Sequence, residues 1–256
     1  MAVIIMAKEV LMIEVDGLIK HYGPVRAVDG ISFSCPDGKV TGLLGPNGAG
    51  KTTTLRVIST VLSPTAGTAV VDGHDIRGEG RAVRSILGVL PEMVGAYHRL
   101  TPREQLRYFG RLHGLRGGEL ERRIEALIEL LEVGEYADRR AGEFSKGMLQ
   151  KLALARALVH DPPNLLLDEP TAGLDVMSAR SVRGMIERFR EEGRCVLLCT
   201  HVMSEAEWLC DRIVIIHKGR ILVRGTPDEL RRKTSEEDLE EAFVKLVGEE
   251  ALDVEG

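Results

Sequence analysis

The pattern of apolar and polar positions divides the chain into three stretches. In the first, Ile31 to Cys35 ("ISFSC") alternates, Pro36 to Lys39 turns, and Val40 to Gly45 ("VTGLLG") is a short apolar strand. A glycine-rich loop then runs into a helix at "GPNGAGKTTTLRVIST". Thr68 to Gly73 is a strand and turn, and Leu87 to Pro91 a further buried strand. The middle stretch, residues 93–162, has helical spacing. Thr101, Pro102 and Glu104 form a capping-box sequence, followed by Leu106, Phe109 and Leu112. Ile124, Leu127, Ile128 and Leu131 share one face of a second helix. A third begins near Ser145 and stops before Pro162 and Pro163. The last stretch returns to apolar strands. "LLLDE" is one, a helix capped by Asp175 follows and ends before Gly193, and "RCVLLCTH" is the next strand. A hairpin closes at Lys218 and Gly219, and Thr226 and Pro227 repeat the threonine-proline cap. Apolar strands alternating with helices predict an α/β fold on a parallel sheet, with ligands at the C-terminal ends of its strands.

Composition narrows the reading. The 256 residues are 44% hydrophobic and 29% charged, ordinary values for a globular chain. The net charge of −5 offers no basic excess for a nucleic-acid backbone, so no nucleic-acid partner is expected. Cys35, Cys195, Cys199 and Cys210 form no metal-binding spacing and read as reduced thiols packed in a core. The apolar start, "MAVIIMAKEV", is far shorter than a membrane span, and no other stretch comes close.

Two short segments carry the chemistry. Gly45 to Thr52, "GPNGAGKT", fits G-x-x-x-x-G-K-[ST] between a strand and a helix. Gly45, Pro46, Asn47, Gly48, Ala49 and Gly50 let backbone N–H groups turn inward on phosphate oxygens, and the helix of Lys51, Thr52 and Thr53 adds its positive end. Lys51 can reach the β- and γ-phosphates, and the Thr52 hydroxyl can bind Mg²⁺. "LLLDE" then supplies the metal carboxylate, Asp168, and one residue further a general base, Glu169, for an attacking water. Paired acids beside a P-loop indicate ATP hydrolysis without fixing the family.

The remaining motifs resemble those of ATP-binding cassette ATPases, over nearly the whole chain. "FSKGMLQKLALARALVHDPPNLLLDEPTAGLD" resembles their signature, magnesium-binding strand and D-loop, and "HYG" and "THVMSEAEWLCDRIVIIHKGRI" resemble the aromatic loop and the switch-histidine segment. The resemblance implies a RecA-like P-loop core sheet with an antiparallel β subdomain (8–92 and 163–230), an inserted helical subdomain (93–162) and an acidic helical tail (231–256). It implies that Tyr22 stacks on adenine, that His201 is the switch, and that Mg²⁺ joins ATP. Two copies would close head to tail over two nucleotides. Ser145 and Gly147 of one copy would reach the γ-phosphate held by the other, with Asp175 at the seam.

Two positions depart from the family pattern. Lys146 stands in place of a glycine and either strengthens an anion site or points to solvent. Glu92 stands in place of glutamine, keeping an oxygen, losing a donor and adding a charge; it is expected to relay nucleotide state to a partner through the helical insert. The text around Leu90 to Gly110 and Asp168 to Arg180 resembles exporters of the sodium and drug-efflux type. This implies a separate membrane subunit, docked near residues 92–105 on the inner face of the membrane, with sodium as first substrate and a drug or lipid as second. The alternative is a soluble cassette ATPase acting on ribosomes or chromosomes. A P-loop kinase would leave Ser145, Gly147 and His201 unexplained.

Overall fold

The computed structural model describes residues 11–93, 95 and 97–253. The apolar N-terminal run therefore lies outside the described residues. The chain opens with β1 (Leu11–Tyr22) and β2 (Val25–Pro36), an antiparallel hairpin, followed by β3 (Val40–Leu44), α1 (Lys51–Ile58), β4 (Ala66–Val71), β5 (His74–Asp75), α2 (Gly80–Ser85) and β6 (Leu87–Leu90). Helices α3 (Pro102–Leu112), α4 (Gly117–Leu130) and α5 (Lys146–Leu158) then intervene before β7 (Asn164–Asp168). The chain continues with α6 (Val176–Glu191), β8 (Cys195–Thr200), α7 (Met203–Leu209), the β9 (Arg212–His217) and β10 (Arg220–Gly225) hairpin, α8 (Pro227–Thr234) and α9 (Leu239–Asp253).

Two sheets result. One, in the order β2-β1-β4-β5, is antiparallel. The other, β10-β9-β3-β8-β7-β6, is parallel except for its β10 edge. The fold is thus the expected α/β architecture: a P-loop core sheet, an antiparallel β layer and inserted helices.

The central strands explain the solid leucine runs. Every residue of β7 and β8 is buried, because both faces of the sheet are covered. Side chains alternate between two cores. Leu165, Leu167, Val196 and Leu198 join the helices in one, with Ile124, Leu127, Ile186 and Leu209. Leu166, Leu197, Cys195 and Cys199 join the β layer and α1 in the other, with Ile13, Phe33 and Ile58. All four cysteines are buried thiols.

Several elements follow from local chemistry. The β9–β10 turn places Lys218 at φ 45° and Gly219 at φ 79°, the paired positive values of a tight two-residue hairpin. Thr101 and Thr226 each close a complete capping box with Glu104 and Glu229. One spacing argument fails: Leu112 is 64% exposed, whereas Leu106 is fully buried. Six residues along a helix turn about 240° from the starting side chain, so the third apolar position has left the core face. The tail helix α9 buries Leu239 and Ala242 and packs on α7 and α8.

Candidate active site

The phosphate loop joins the end of β3 to α1. Gly45 leaves the strand where a Cβ would lie 2.2 Å from the Ile216 carbonyl oxygen, so no side chain fits. Gly50 caps α1 at φ 111°, with a Cβ position 2.4 Å from the Ala27 carbonyl oxygen. Both positions require glycine, one for close approach and the other for close approach and a left-handed backbone. A cavity of about 260 Å³ opens over the loop, lined by Asn47 to Thr53 together with Ala27, Glu92 and Glu169. A larger cavity of about 420 Å³, between Phe33, Thr41, Arg212 and Arg224, contains none of the motif residues.

Lys51 is buried, and its Nζ donates to the carbonyls of Gly45 at 2.7 Å and Pro46 at 3.2 Å. The same nitrogen lies 3.5 Å from Glu169 Oε1. The amine is therefore folded back over its own loop.

Asp168 ends β7 and is 3% exposed. Burial holds its carboxyl above the usual range; the Thr52 hydroxyl pulls it down, the charges of Glu92 and Glu169 push it up, and Lys51 pulls it down. Its Oδ1 is buried with no hydrogen-bond partner. An orphaned anionic oxygen beside a hydroxyl suits a hard divalent cation. Among the described residues no three His, Cys, Asp or Glu side chains converge as a metal cluster. A cation here would need further oxygens, and phosphates and water are the usual source.

Glu169 adopts φ 50°, left-handed for a residue with a side chain. Its N–H donates to the Cys199 carbonyl at 2.8 Å, which fixes the bend where β7 leaves the sheet. Its Oε1 lies 2.8 Å from Nδ1 of His201. An ionised carboxylate only accepts, so Nδ1–H is the donor opposite an ionised Glu169. Backbone strain of this kind concentrates where a side chain is aimed at a reaction.

The structure thus brings Gly45 to Thr53, Glu92, Asp168, Glu169 and His201 together. Ser145, Gly147 and Asp175 form a separate group. Ser145 caps α5, accepting from Met148 N at 3.3 Å. Asp175 caps α6, accepting from the N–H groups of Met177 and Ser178 at 3.0 Å and from the Ser178 hydroxyl at 2.7 Å. Gly147 packs onto that same Ser178, whose Oγ lies 2.4 Å from where a Cβ would stand. The amine of Lys146 crosses over Gly173, inside the loop leading to Asp175. Tyr22 stands at the end of the hairpin that supplies Ala27 to the cavity, 44% exposed, with Lys20 Nζ 5.3 Å from its ring centre.

Sequence reasoning passed over two polar residues behind the site. Gln150 Nε2 donates to the Pro170 carbonyl at 2.7 Å, tying α5 to the loop after Glu169. Glu205, 3% exposed, accepts from the Thr171 hydroxyl at 2.7 Å and the Thr200 hydroxyl at 3.3 Å. No local signal marks Glu205, because α7 has seven residues and is too short to show a period.

A P-loop at one strand end, with a buried carboxylate pair at another, defines a nucleoside-triphosphate hydrolase. The α3–α5 insert and the antiparallel layer specify the kind. A family model described as ABC transporter matches residues 28–172. The chain is 44% identical over 225 residues to the ABC transporter ATP-binding protein NatA of Bacillus subtilis, covering 87% of this chain and 92% of the relative. It is 41% identical to the Nod factor export ATP-binding protein I of Paraburkholderia xenovorans, over 85% of this chain and 72% of that one. A solved ATP-binding subunit of an ABC transporter superposes with a TM-score of 0.84 at 31% identity, over 92% of this chain and 99% of that one. The chain belongs to the ABC transporter family and is an ATP-binding, ATP-hydrolysing subunit of that kind. Among the described residues no helix is long and apolar enough to cross a membrane.

Proposed function

We propose that this subunit hydrolyses Mg-ATP at the P-loop and uses head-to-tail pairing of two copies to drive export through a separate membrane subunit. The observation carrying the chemistry is the orphaned Oδ1 of Asp168, set beside Thr52 and next to the Glu169–His201 pair. Mg²⁺, when bound, would neutralise phosphate charge. Thr52 and Asp168 would hold it. Lys51 would turn from the Gly45 and Pro46 carbonyls to the β- and γ-phosphates. Glu169 would take the proton of the attacking water, and His201 would keep that carboxylate aimed. Tyr22 would stack on the adenine ring.

Pairing is supported by the group at Ser145, Gly147 and Asp175. None of the three lines the cavity over the phosphate loop. In a dimer the start of α5 would meet the γ-phosphate held by the other copy, with Asp175 at the seam. The γ-phosphate would then favour the closed state by differential contact.

A membrane partner is supported by an apolar groove of about 430 Å³ bounded by Val61, Val89, Tyr97, Phe109 and Ala153. Glu92 lines the phosphate cavity and directly follows Pro91 of this groove, which suits a relay of nucleotide state to the partner. Sodium is the first substrate to test and a drug-like or lipid molecule the second. The grounds are similarity in the segments around Glu92 and Asp175.

The test is Glu169→Gln. The variant should bind ATP, release no phosphate above background, and elute as a dimer only with ATP and Mg²⁺. Undiminished phosphate release would overturn the general-base assignment. ATP held by a monomer in that variant would overturn the pairing. Copurification of the wild-type chain with a polytopic membrane protein, and ATP-dependent sodium uptake by inverted vesicles carrying both, test the transport role.

A further inference from the structure

One buried carboxylate has no part in the chemistry above. Glu205 lies in the first turn of α7, and each of its oxygens accepts one hydroxyl. Thr171 stands two residues after Glu169, in the loop leading to Asp175. Thr200 ends β8 and immediately precedes His201. The Thr200 hydroxyl also accepts from Val202 N at 3.0 Å, so both its bonding directions are used. With the 2.8 Å contact between His201 and Glu169, these bonds close a ring. It runs from Glu169 to His201, back through Thr200 to Glu205, across to Thr171 and along the chain to Glu169.

We propose that Glu205 is a positioning residue that holds the two strand ends in register, so that His201 meets Glu169 and the loop to Asp175 moves with them. The inference rests on the reading of Glu169 and His201 given above. Burial of an acidic group is costly without partners, and here both oxygens have one. The Thr171 carbonyl accepts from Leu174 N at 3.1 Å, which continues the path to the Asp175 cap. A shift of the His201 strand end would thus be felt at the proposed seam through one side chain.

Glu205→Ala should lower kcat for ATP roughly 10- to 100-fold, the usual cost of misplacing a catalytic group by about an ångström. The dissociation constant for ATP should stay within about twofold, because Glu205 touches nothing in the phosphate loop. Glu205→Gln should restore most of kcat, since the amide oxygen accepts one hydroxyl and the amide nitrogen donates to the other. Thr171→Val, which keeps shape and removes one hydroxyl, should give a smaller loss of the same kind. Combined with Glu205→Ala it should add nothing further, as expected for partners in one bond. A folded Glu205→Ala with wild-type kcat, or losses that multiply in the double variant, would overturn the proposal. If Glu205→Ala does not fold, Thr171→Val and Glu205→Gln decide it: wild-type kcat in the first, or no activity in the second, refutes the role. Glu169→Gln separates the two readings. Turnover surviving there removes the general base itself, whereas its loss alongside an unaffected Glu205→Ala removes only the positioning role.

Discussion

The starts of α1 and α5 differ from every other α-helix start among the described residues. The other α-helices carry a carboxylate at the cap or in the first turn: Glu79 for α2, Glu104, Glu119, Asp175, Glu205, the pair Asp228 and Glu229, and the pair Glu240 and Glu241. Helices α1 and α5 carry none. An acid there would use up the positive end that an anion could otherwise occupy. The two also differ from each other. Helix α1 begins at Gly50 with no side-chain cap, its free N–H groups facing the chain's own cavity. Helix α5 is capped by Ser145, and its start lies outside the cavity over the phosphate loop. On the proposed reading, one helix start is completed by a ligand the chain binds itself. The other, on the dimer reading, meets an anion carried by another molecule.

Glycine substitutions would separate the two ends most sharply. Gly50→Ala forces a Cβ into the left-handed region and against the Ala27 carbonyl. It should cost roughly 3 kcal/mol of stability and abolish the rise in melting temperature given by ATP. Gly147→Ala meets a side chain, Ser178, instead of backbone. It should cost about 1–2 kcal/mol and leave ATP binding by the monomer intact, while ATP-driven pairing of the Glu169→Gln form is lost. Pairing that survives Gly147→Ala would separate α5 from the seam.

The same contrast shows what sequence makes legible. The caps at Thr101, Ser145 and Asp175 were readable because their partners lie within a few residues, the phosphate loop by its fixed spacing of residue types, and β7 by its unbroken apolar run. Strand β1 was not. Its alternation breaks at Asp16 and Gly17, and its pairing with β2 shifts register between Val15 and Leu18. Helices α2 and α7, six and seven residues long, are too short to show a period. Glu205 reads as a surface acid until the fold brings Thr171 to it from 34 residues away. Whether Lys146 faced an anion or solvent was equally undetermined, because Gly173, beneath its amine, belongs to a different loop.

Asp168→Asn tests the α1 end by charge. Burial raises the Asp168 pKa above that of the unfolded chain. The folded chain alone therefore loses stability as pH climbs from the ordinary carboxylate range through that elevated value. Asparagine stays neutral, so without nucleotide or metal the variant should melt above the wild type at pH 7. The gap should close on acidification. The extra stabilisation that Mg²⁺ adds to ATP should vanish. Melting curves over a pH series, with and without Mg-ATP, read both effects. A variant less stable than wild type at pH 7 without ligand would refute the account of the buried charge.

The smallest expected effect bears most directly on α5. Ser145→Ala and Thr101→Ala each remove a helix cap from the same inserted subdomain, and each should cost about 1 kcal/mol. Thr101 caps α3 beside an acid, Glu104, so its helix start is closed to anions. Ser145 caps α5 with no acid in the helix's first turn. If α5 serves only as a packed helix, the two variants should behave alike, with a slightly lower melting temperature and unchanged pairing. If its start meets the γ-phosphate of a second copy, only Ser145→Ala should weaken ATP-driven dimerisation. Ultracentrifugation of each variant in the Glu169→Gln background compares the two at matched stability. Equal dimer constants would leave the missing acid at α5 without functional meaning, whereas a selective loss ties that helix start to the neighbour's nucleotide.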